Sequence, residues 1–496
     1  MTRTAAVGSP LHHPAFRRLW LGLSISYLGD QFTTIALLWF VLQLTGSGAA
    51  VGLVILCFDL PGVVTGAILG RLLDRYQPRL VMGFDNLARA ALIAAIPTLY
   101  ALGRLQLWHV CVLASLAGAL SPATTAGVRA FVPHLVDDTA LDRANALTAA
   151  SLQFSYLAGP LAAGFAVARL GGPWALFIDA GSFLLMGLLA LSLPGIARKT
   201  ERPAPLSSAE SPSCMAARET RPFALPAIAR EPRVAQSKGA RISRRHLKGG
   251  TREIQAARGA PSCAVPGEPV AANRRLARKG AWAHKIVEIT ARAPFCGPLL
   301  ESFGALFSLR SVPALTLLTL VFFFSYGPLE AALPVYSRQT LHASAGGYGL
   351  LWTGFGVGAF AGVLTLTRLS HRWRPGIALP MIAILWGALL CPLFFIRQLP
   401  LAMLFLGVAG ASWAPYTPME TTLLQRLVPA EIRGQVFGAR HSLVVAATPL
   451  GAACGGVLLQ YLSAPVVIAI SGVACILAGL GGLVSPSLRQ LQRGSR

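Results

Sequence analysis

Charge is scarce in this chain, and acidic charge scarcer still. Of 496 residues only 12% are Asp, Glu, Lys or Arg, and the 19 acids face 43 bases. A soluble domain carries about 25% charged residues, so composition excludes an ordinary soluble protein before any motif is read. Lysine is missing from both ends of the chain; all five (Lys199, Lys238, Lys248, Lys279, Lys285) fall between residues 198 and 300. Paired cysteines are missing too. No C-x-x-C occurs among the eight cysteines, which excludes a zinc ribbon and a dithiol redox motif; single cysteines in apolar runs read as small core residues. No Ser-His-Asp set, metal cluster, Walker loop or nucleotide fingerprint is legible, which argues against an enzyme, a bound cofactor and a self-contained ATP-driven pump. A cleavable leader is not expected at the N-terminus. The apolar run after Arg17 and Arg18 is too long for a signal-peptide core and reads as a first membrane span.

What is abundant is apolar length. A helix needs ~20 mainly apolar residues to cross a bilayer. Twelve such stretches are expected, at 18–43, 50–72, 82–102, 107–131, 145–168 and 174–194, then at 312–337, 347–368, 377–396, 401–427, 435–460 and 465–485. This predicts an all-α membrane protein of two six-helix bundles, residues 1–197 and 306–496, joined by a basic linker at 198–305. Arginine sets the orientation. The side carrying the loop Gly70–Arg79, here side one, holds Arg3, Arg17, Arg18, Arg71, Arg75, Arg79, Arg143, Arg368, Arg372, Arg374, Arg426, Arg433, Arg489, Arg493 and Arg496, together with the linker. Side two holds Arg104, Arg169, Arg338 and Arg397. Side one is therefore expected to be cytoplasmic, with both termini on it.

The linker carries 20 Lys and Arg against 7 acids between residues 198 and 300. It is rich in Pro, Ser and Ala and too poor in apolar residues to offset its ordering entropy, so disorder is expected. Its basic charge suits a solvated tether beside an anionic leaflet, with a short amphipathic stretch at Trp282–Ile289. No aromatic interleaving or recognised module accompanies the charge, so nucleic acid is not an expected partner.

The two sets of six read as repeats. Pro122 to Pro133 runs P-A-T-T-A-G-V-R-A-F-V-P, and Pro418 to Pro429 runs P-M-E-T-T-L-L-Q-R-L-V-P. Gly159-Pro160 has its counterpart in Thr448-Pro449. Gly62, Gly66 and Gly70 recur every fourth residue, as do Gly354, Gly358 and Gly362; such spacing lets helix backbones touch inside a bilayer. The loop Gly70–Arg79 is echoed by Arg368–Pro375, with His371 in place of Asp74. Duplicated halves around a midplane site are a transporter arrangement.

Gly70, Leu72, Asp74, Arg75 and Arg79 resemble the loop 2–3 motif of the major facilitator superfamily, G-x-L-a-D-r-x-g-r-k; Gln77 and Pro78 depart from it. The stretches Phe16-Arg17-Arg18-Leu19-Trp20, Leu28-Gly29-Asp30, Leu44-Thr45-Gly46-Ser47, Arg143-Ala144-Asn145-Ala146-Leu147 and Phe177-Ile178-Asp179-Ala180 resemble the macrolide-efflux and enterobactin-exporter branch. The resemblance implies a proton-driven exporter, and the expected cargo is a small amphipathic, drug-like molecule, with siderophores and lysolipids as alternatives; a monomer is expected. It also implies that Gly70, Asp74, Arg75, Arg79 and Arg129 form a cytoplasmic gate, Asp74 pairing with Arg129 or Arg75. A membrane scaffold recruiting a partner through the basic loop is the rival reading of another class.

Ionisable groups inside spans are costly and mark function or a specific partner. Asp30 lies on a polar stripe with Ser26, Tyr27, Thr33 and Thr34 and reads either as a proton carrier or as a hydrogen-bonded brace. Glu330 lies one turn after Tyr326 and is a proton or substrate candidate, and Pro334 is expected to break that helix at the cavity. Glu420 follows Trp413, Tyr416 and Thr417; it is a proton or substrate candidate, or it pairs with Arg426 or Arg129. Tyr27, Thr34, Thr125, Tyr326, Trp413, Tyr416 and Thr417 are cavity candidates, the Trp413–Tyr416 pair having packing as its alternative. Asp59 shares a face with Gly52, Gly62, Gly66 and Gly70, expected to pack on span 11, and is read as a buried hydrogen-bonded group, with a substrate contact as its alternative. Asp85, Arg89 and Asp179 are read as local ion pairs near span ends, and His12, His13 and His134 as solvated or interfacial.

Overall fold

Proline and glycine punctuate the chain where its helices start and stop. In the computed structural model, which describes residues 9–195, 304, 306–309, 311–369, 375–429 and 432–490, the first half consists of α1 (Pro14–Thr45), α2 (Gly48–Arg75), α3 (Pro78–Ala101), α4 (Leu107–Leu120), α5 (Pro122–Phe131), α6 (Asp138–Leu170) and α7 (Gly172–Leu191). The second consists of α8 (Val312–Val335), α9 (Ala345–Leu369), α10 (Pro375–Leu390), α11 (Leu399–Trp413), α12 (Tyr416–Leu427), α13 (Arg433–Leu458) and α14 (Ala464–Val484). Proline occupies the first turn of α1, α3, α5, α7, α8, α11 and α14, where its missing N–H would be unpaired anyway. Gly46 at φ 66° and Gly171 at φ 91° end α1 and α6 in backbone conformations that a side chain would strain. The next helix follows at once in both places.

The expected spans are present. Span 4 is α4 plus α5, broken at Ser121, and span 10 is α11 plus α12, broken at Ala414–Pro415; proline cannot donate the helical hydrogen bond at either break. Among the described residues eleven of the twelve traverses are long and apolar enough to cross a membrane. The twelfth, α6, has the length but opens on Asp138, Asp142 and Arg143 and carries Gln153, Ser155 and Tyr156 farther along. Pro334 does not break α8 at midspan. The helix runs to Val335 and unwinds into a wider turn over Tyr336–Thr340 at side two. The linker at 198–305, save Gly304, lies outside the described residues, as do Trp282–Ile289, most of the echo loop (370–374, including His371), and the side chains of Asp74 and Arg368.

Small residues set how closely the helices approach. A Cβ on Gly354 would lie 3.0 Å from the Met403 carbonyl oxygen, and Gly358 and Gly362 abut Gly407 and Ala411 in the same way, so the second glycine stripe seats α9 on α11. The first stripe divides its work. Gly52 abuts Ala452 and Gly456 of α13, as expected for span 11, but Gly62 and Gly66 face Gly118 and Pro122 of the first half, and Gly70 has no atom within 4 Å.

The halves join toward side two. Gly48 and Gly52 of α2 meet Leu459 and Gly456 at the end of α13. Gly164 of α6 meets Ala345 and Gly349 at the start of α9, with Cβ approaches of 2.9 Å to backbone atoms of each. Trp39 stacks on Tyr348 across the same seam, ring centroids 5.9 Å apart, and Arg338 donates to the Leu42 carbonyl at 3.2 Å. One apolar core runs through both halves there, from Ile35–Leu42 and Val51–Ile55 into the second half. At side one the first half keeps a separate core of Phe16, Leu19, Leu23, Phe131, Met186 and Leu193, and Gly434 and Gly438 at the start of α13 have no atom within 4 Å. The α2/α13 and α6/α9 pairs therefore touch at side two and part toward side one.

Candidate functional site

Among the described residues, three side-chain clusters inside the bilayer span stand out, two polar and one aromatic. In the first half, Asp30 sits at the middle of α1, and Arg89 Nη2 of α3 donates to its Oδ1 at 3.1 Å. The Arg89 side chain is 6% exposed and that of Asp30 38%, so the base is fixed in protein while the acid stays open on one side. The guanidinium also lies 3.9 Å from the centre of the Phe183 ring, an attractive arrangement for a cation. Around this pair, Thr33 donates to Asp179 and Ser182 donates to the same carboxylate at 2.9 Å. Thr124 donates to Asp85, and Asn86 Nδ2 donates to Thr124 at 2.7 Å. Asp85 Oδ1 and Arg89 Nε are buried without a hydrogen bond. Asp85, Arg89 and Asp179 are thus not local ion pairs at span ends. Arg89 reaches across to α1, and the two acids are held by hydroxyls well inside their helices.

In the second half, Glu420 is 3% exposed and accepts from Thr319 of α8 and from Arg440 of α13. Thr319 also bonds the Tyr416 hydroxyl at 3.0 Å. Neither Arg426 nor Arg129 is the partner expected from sequence. Arg440, on the facing helix, takes the acid, and sequence reasoning passed it over. Its signal was that of Asp30, an ionisable side chain inside an apolar run. Glu420 and Thr124 occupy the same position of the repeat Pro122–Pro133 and Pro418–Pro429, so each half anchors its broken fourth helix by a buried polar group at one register.

The third cluster is aromatic. The Tyr326 ring lies 6.4 Å from Trp352, 6.2 Å from Trp386 and 6.1 Å from Trp413, and Phe355 closes the group against Trp413 at 5.7 Å. The indole N–H groups of Trp352, Trp386 and Trp413 are buried and make no hydrogen bond. Trp413 belongs here. Tyr416 does not; it is fully buried and stacks on Phe322 at 4.3 Å. Tyr27 and Thr34 are half-buried on α1, Thr34 bonding the Asp30 carbonyl at 3.0 Å, while Thr125 and Thr417 are exposed.

Asp59 departs from its expected role. It is exposed on α2 and accepts no hydrogen bond. It acts electrostatically on Glu330 of the other half, itself without a hydrogen bond.

Among the loop 2–3 residues, Arg79 is a tie within the first half: it bonds Gln77 at 2.9 Å and the Leu193 carbonyl at 2.8 Å. Arg18 bonds the neighbouring Ser192 carbonyl at 3.0 Å. Arg75 approaches the Tyr76 ring at 6.0 Å. Arg129 is exposed and acts electrostatically on Tyr27 and, across the cleft, on His441.

Comparison with known proteins agrees with this architecture. The family model described as Major Facilitator Superfamily matches residues 19–312 and 315–493. The multidrug efflux pump Tap of Mycolicibacterium fortuitum is 24% identical over 474 residues, covering 94% of this chain and 95% of the relative. The uncharacterised MFS-type transporter y4rN of Sinorhizobium fredii is 26% identical over 482 residues, covering 95% of each. Among solved structures, the nucleoside transporter NupG superposes with a TM-score of 0.59 at 11% identity, covering 95% of this chain and 98% of that one. The peptide transporter POT in complex with sulfate superposes with a TM-score of 0.60 at 14% identity, covering 97% and 96%.

Proposed function

The chain belongs to the Major Facilitator Superfamily, and from that premise we propose that it is a proton-driven exporter. It carries a small amphipathic molecule from a cytoplasmic side one to side two of the cell membrane. One observation carries the reading. The cleft is sealed at side two and parted toward side one, and it holds, at the middle of α1, an acid whose counter-charge is buried behind it. A relative named as a multidrug efflux pump supports the direction and the type of cargo.

Asp30 is the proton carrier in this reading. When ionised it is matched by Arg89; when protonated it no longer neutralises that buried cation. Asp85, one turn earlier on α3, has an unbonded buried oxygen, and Arg89 has an unbonded Nε. Arg89 can therefore exchange Asp30 for Asp85 without being left uncompensated in low dielectric, where an unpaired charge is most costly. Tyr156 connects this event to the seam. It is an electrostatic neighbour of both Asp30 and Tyr326, and its carbonyl abuts Gly356 of the other half. Glu420, enclosed by Thr319 and Arg440, braces the second half instead. The loop 2–3 residues and Arg129 act at side one when it closes.

Everted vesicles holding the protein test this. Added substrate should draw protons out of the acidified lumen in wild type, and Asp30→Asn should abolish that flux while ligand binding persists. Flux that survives Asp30→Asn would remove Asp30 from the coupling role.

A further inference from the structure

Two polar side chains, Asp179 and Ser182, stand on α7, a helix that gives its exposed face to lipid. Trp174, Phe177, Ile178, Leu184, Leu185 and Leu188 are exposed along one stripe. Asp179, Ser182 and Phe183 are buried on the opposite side, where α7 packs on α1 and α3. Asp179 is 0% exposed, and among the described residues no base forms an ion pair with it. An acid inside a membrane is costly and marks a function or a specific partner. Enclosed on every side, this one cannot meet cargo.

What Asp179 touches is α1, beside Asp30. Thr33 donates to it, and a Cβ on Gly29 would run into the Asp179 and Ser182 side chains. Gly29 and Thr33 are four residues apart and share a face of α1. Asp30 follows Gly29 and is turned about 100° away from it. Gripping the Gly29 face against α7 therefore fixes the rotation of α1 and aims Asp30 at α3, where Arg89 donates to it at 3.1 Å. Elsewhere the seam between α1 and α7 is apolar: Gly22 meets Met186 and Leu189, and Gly172 meets Phe40. Apolar contact has no direction, whereas a hydroxyl on a carboxyl does.

The residue after Ser182 holds the other partner. The Arg89 guanidinium lies 3.9 Å from the centre of the Phe183 ring. Arg89 Nε is unbonded, and Asp85, one turn earlier on α3, has an unbonded oxygen, so hydrogen bonding alone does not decide which acid Arg89 takes. A ring face attracts the guanidinium without occupying its N–H groups. Arg89 thus stays seated while its acid partner changes.

We propose that Asp179 and Phe183 are positioning residues for the Asp30–Arg89 pair: Asp179 orients the acid through Thr33, and Phe183 seats the base. A lipid-facing helix that meets no cargo then sets the geometry of the coupling group. The inference rests on the exporter reading only for what the pair does in transport.

The test is carbodiimide labelling of the full-length protein in lipid nanodiscs at neutral pH, with the labelled residues located by mass spectrometry; it needs neither cargo nor a gradient. Dicyclohexylcarbodiimide attacks a protonated carboxyl in apolar surroundings and spares one paired to a guanidinium. Labelling at Asp30 should be low in wild type and high in Arg89→Gln, which marks loss of the pair. Phe183→Leu removes the ring and Thr33→Val the hydroxyl, and each should raise labelling at Asp30 by about threefold or more. Phe183→Tyr keeps the ring and Thr33→Ser the hydroxyl, and both should stay near wild type. Labelling at Glu420, in the other half, reports general loosening and should be the same throughout. Unchanged labelling at Asp30 in Phe183→Leu or Thr33→Val, a rise in the conservative variants equal to that in the disruptive ones, or a rise at Glu420 matching that at Asp30 would each overturn the proposal. The expected pattern beside absent proton flux in wild type would leave the positioning roles standing and count against the exporter reading alone.

Discussion

Glu420→Ala will unfold well below wild type, and removing Arg440 as well will restore most of the loss. Glu420 is 3% exposed and the Arg440 side chain 12%, so both charges are out of water. Deleting the acid leaves a guanidinium facing the Thr319 and Tyr416 hydroxyls with no counter-charge. Breaking a buried pair in this way costs about 3–5 kcal/mol, whereas replacing both partners by apolar groups of similar volume is often neutral. Thermal unfolding in detergent should therefore rank Glu420→Ala lowest and Glu420→Leu with Arg440→Met close to wild type. Equal losses in the single and double variants would mean that the two residues are not coupled.

Gly164→Leu will nearly abolish transport while leaving each half folded. A Cβ at Gly164 would meet backbone atoms of Ala345 and Gly349 at 2.9 Å, and backbone cannot turn aside as a side chain can. Overpacking costs about 1–3 kcal/mol per site, and the upper figure shifts a two-state equilibrium by about a hundredfold. The strain exists only while side two is sealed, so it drives the carrier away from the form described here and denies cargo entry from side one. Transport should fall to about 1% of wild type on that arithmetic. A thiol introduced by Leu42→Cys in a cysteine-free background, beneath the Arg338 bond, should react faster from side two. Full transport, or unchanged labelling, would show that α6 and α9 do not form the seal.

The sequence carried the membrane class, the duplicated halves and the helix starts, because each rests on local chemistry: apolar length, repeated residues and proline in first turns. It carried the small-residue stripes but not their partners. Gly62 and Gly66 face the first half while Gly52 faces α13, since one helix meets different neighbours along its length. Acid–base partners were the least legible. Asp30 with Arg89 and Glu420 with Arg440 join helices whose rotation about their own axes is not written in a pattern that is apolar on nearly every face. Asp59 was misread for a related reason. Gly52 packs on α13 as expected, but Asp59, two turns on, is exposed and accepts no hydrogen bond, although Gly62, three residues farther, meets Gly118 of the first half.

The most direct test of the account is to impose a pH gradient on proteoliposomes and follow a small amphipathic molecule. With the protein oriented so that side one faces outward and the lumen acidic, the molecule should accumulate inside above its leak level. Accumulation should collapse when a protonophore is added and should be lost in Asp30→Asn. Accumulation indifferent to the gradient would contradict proton-driven export, and movement in the opposite direction along the same gradient would contradict the orientation on which the account rests.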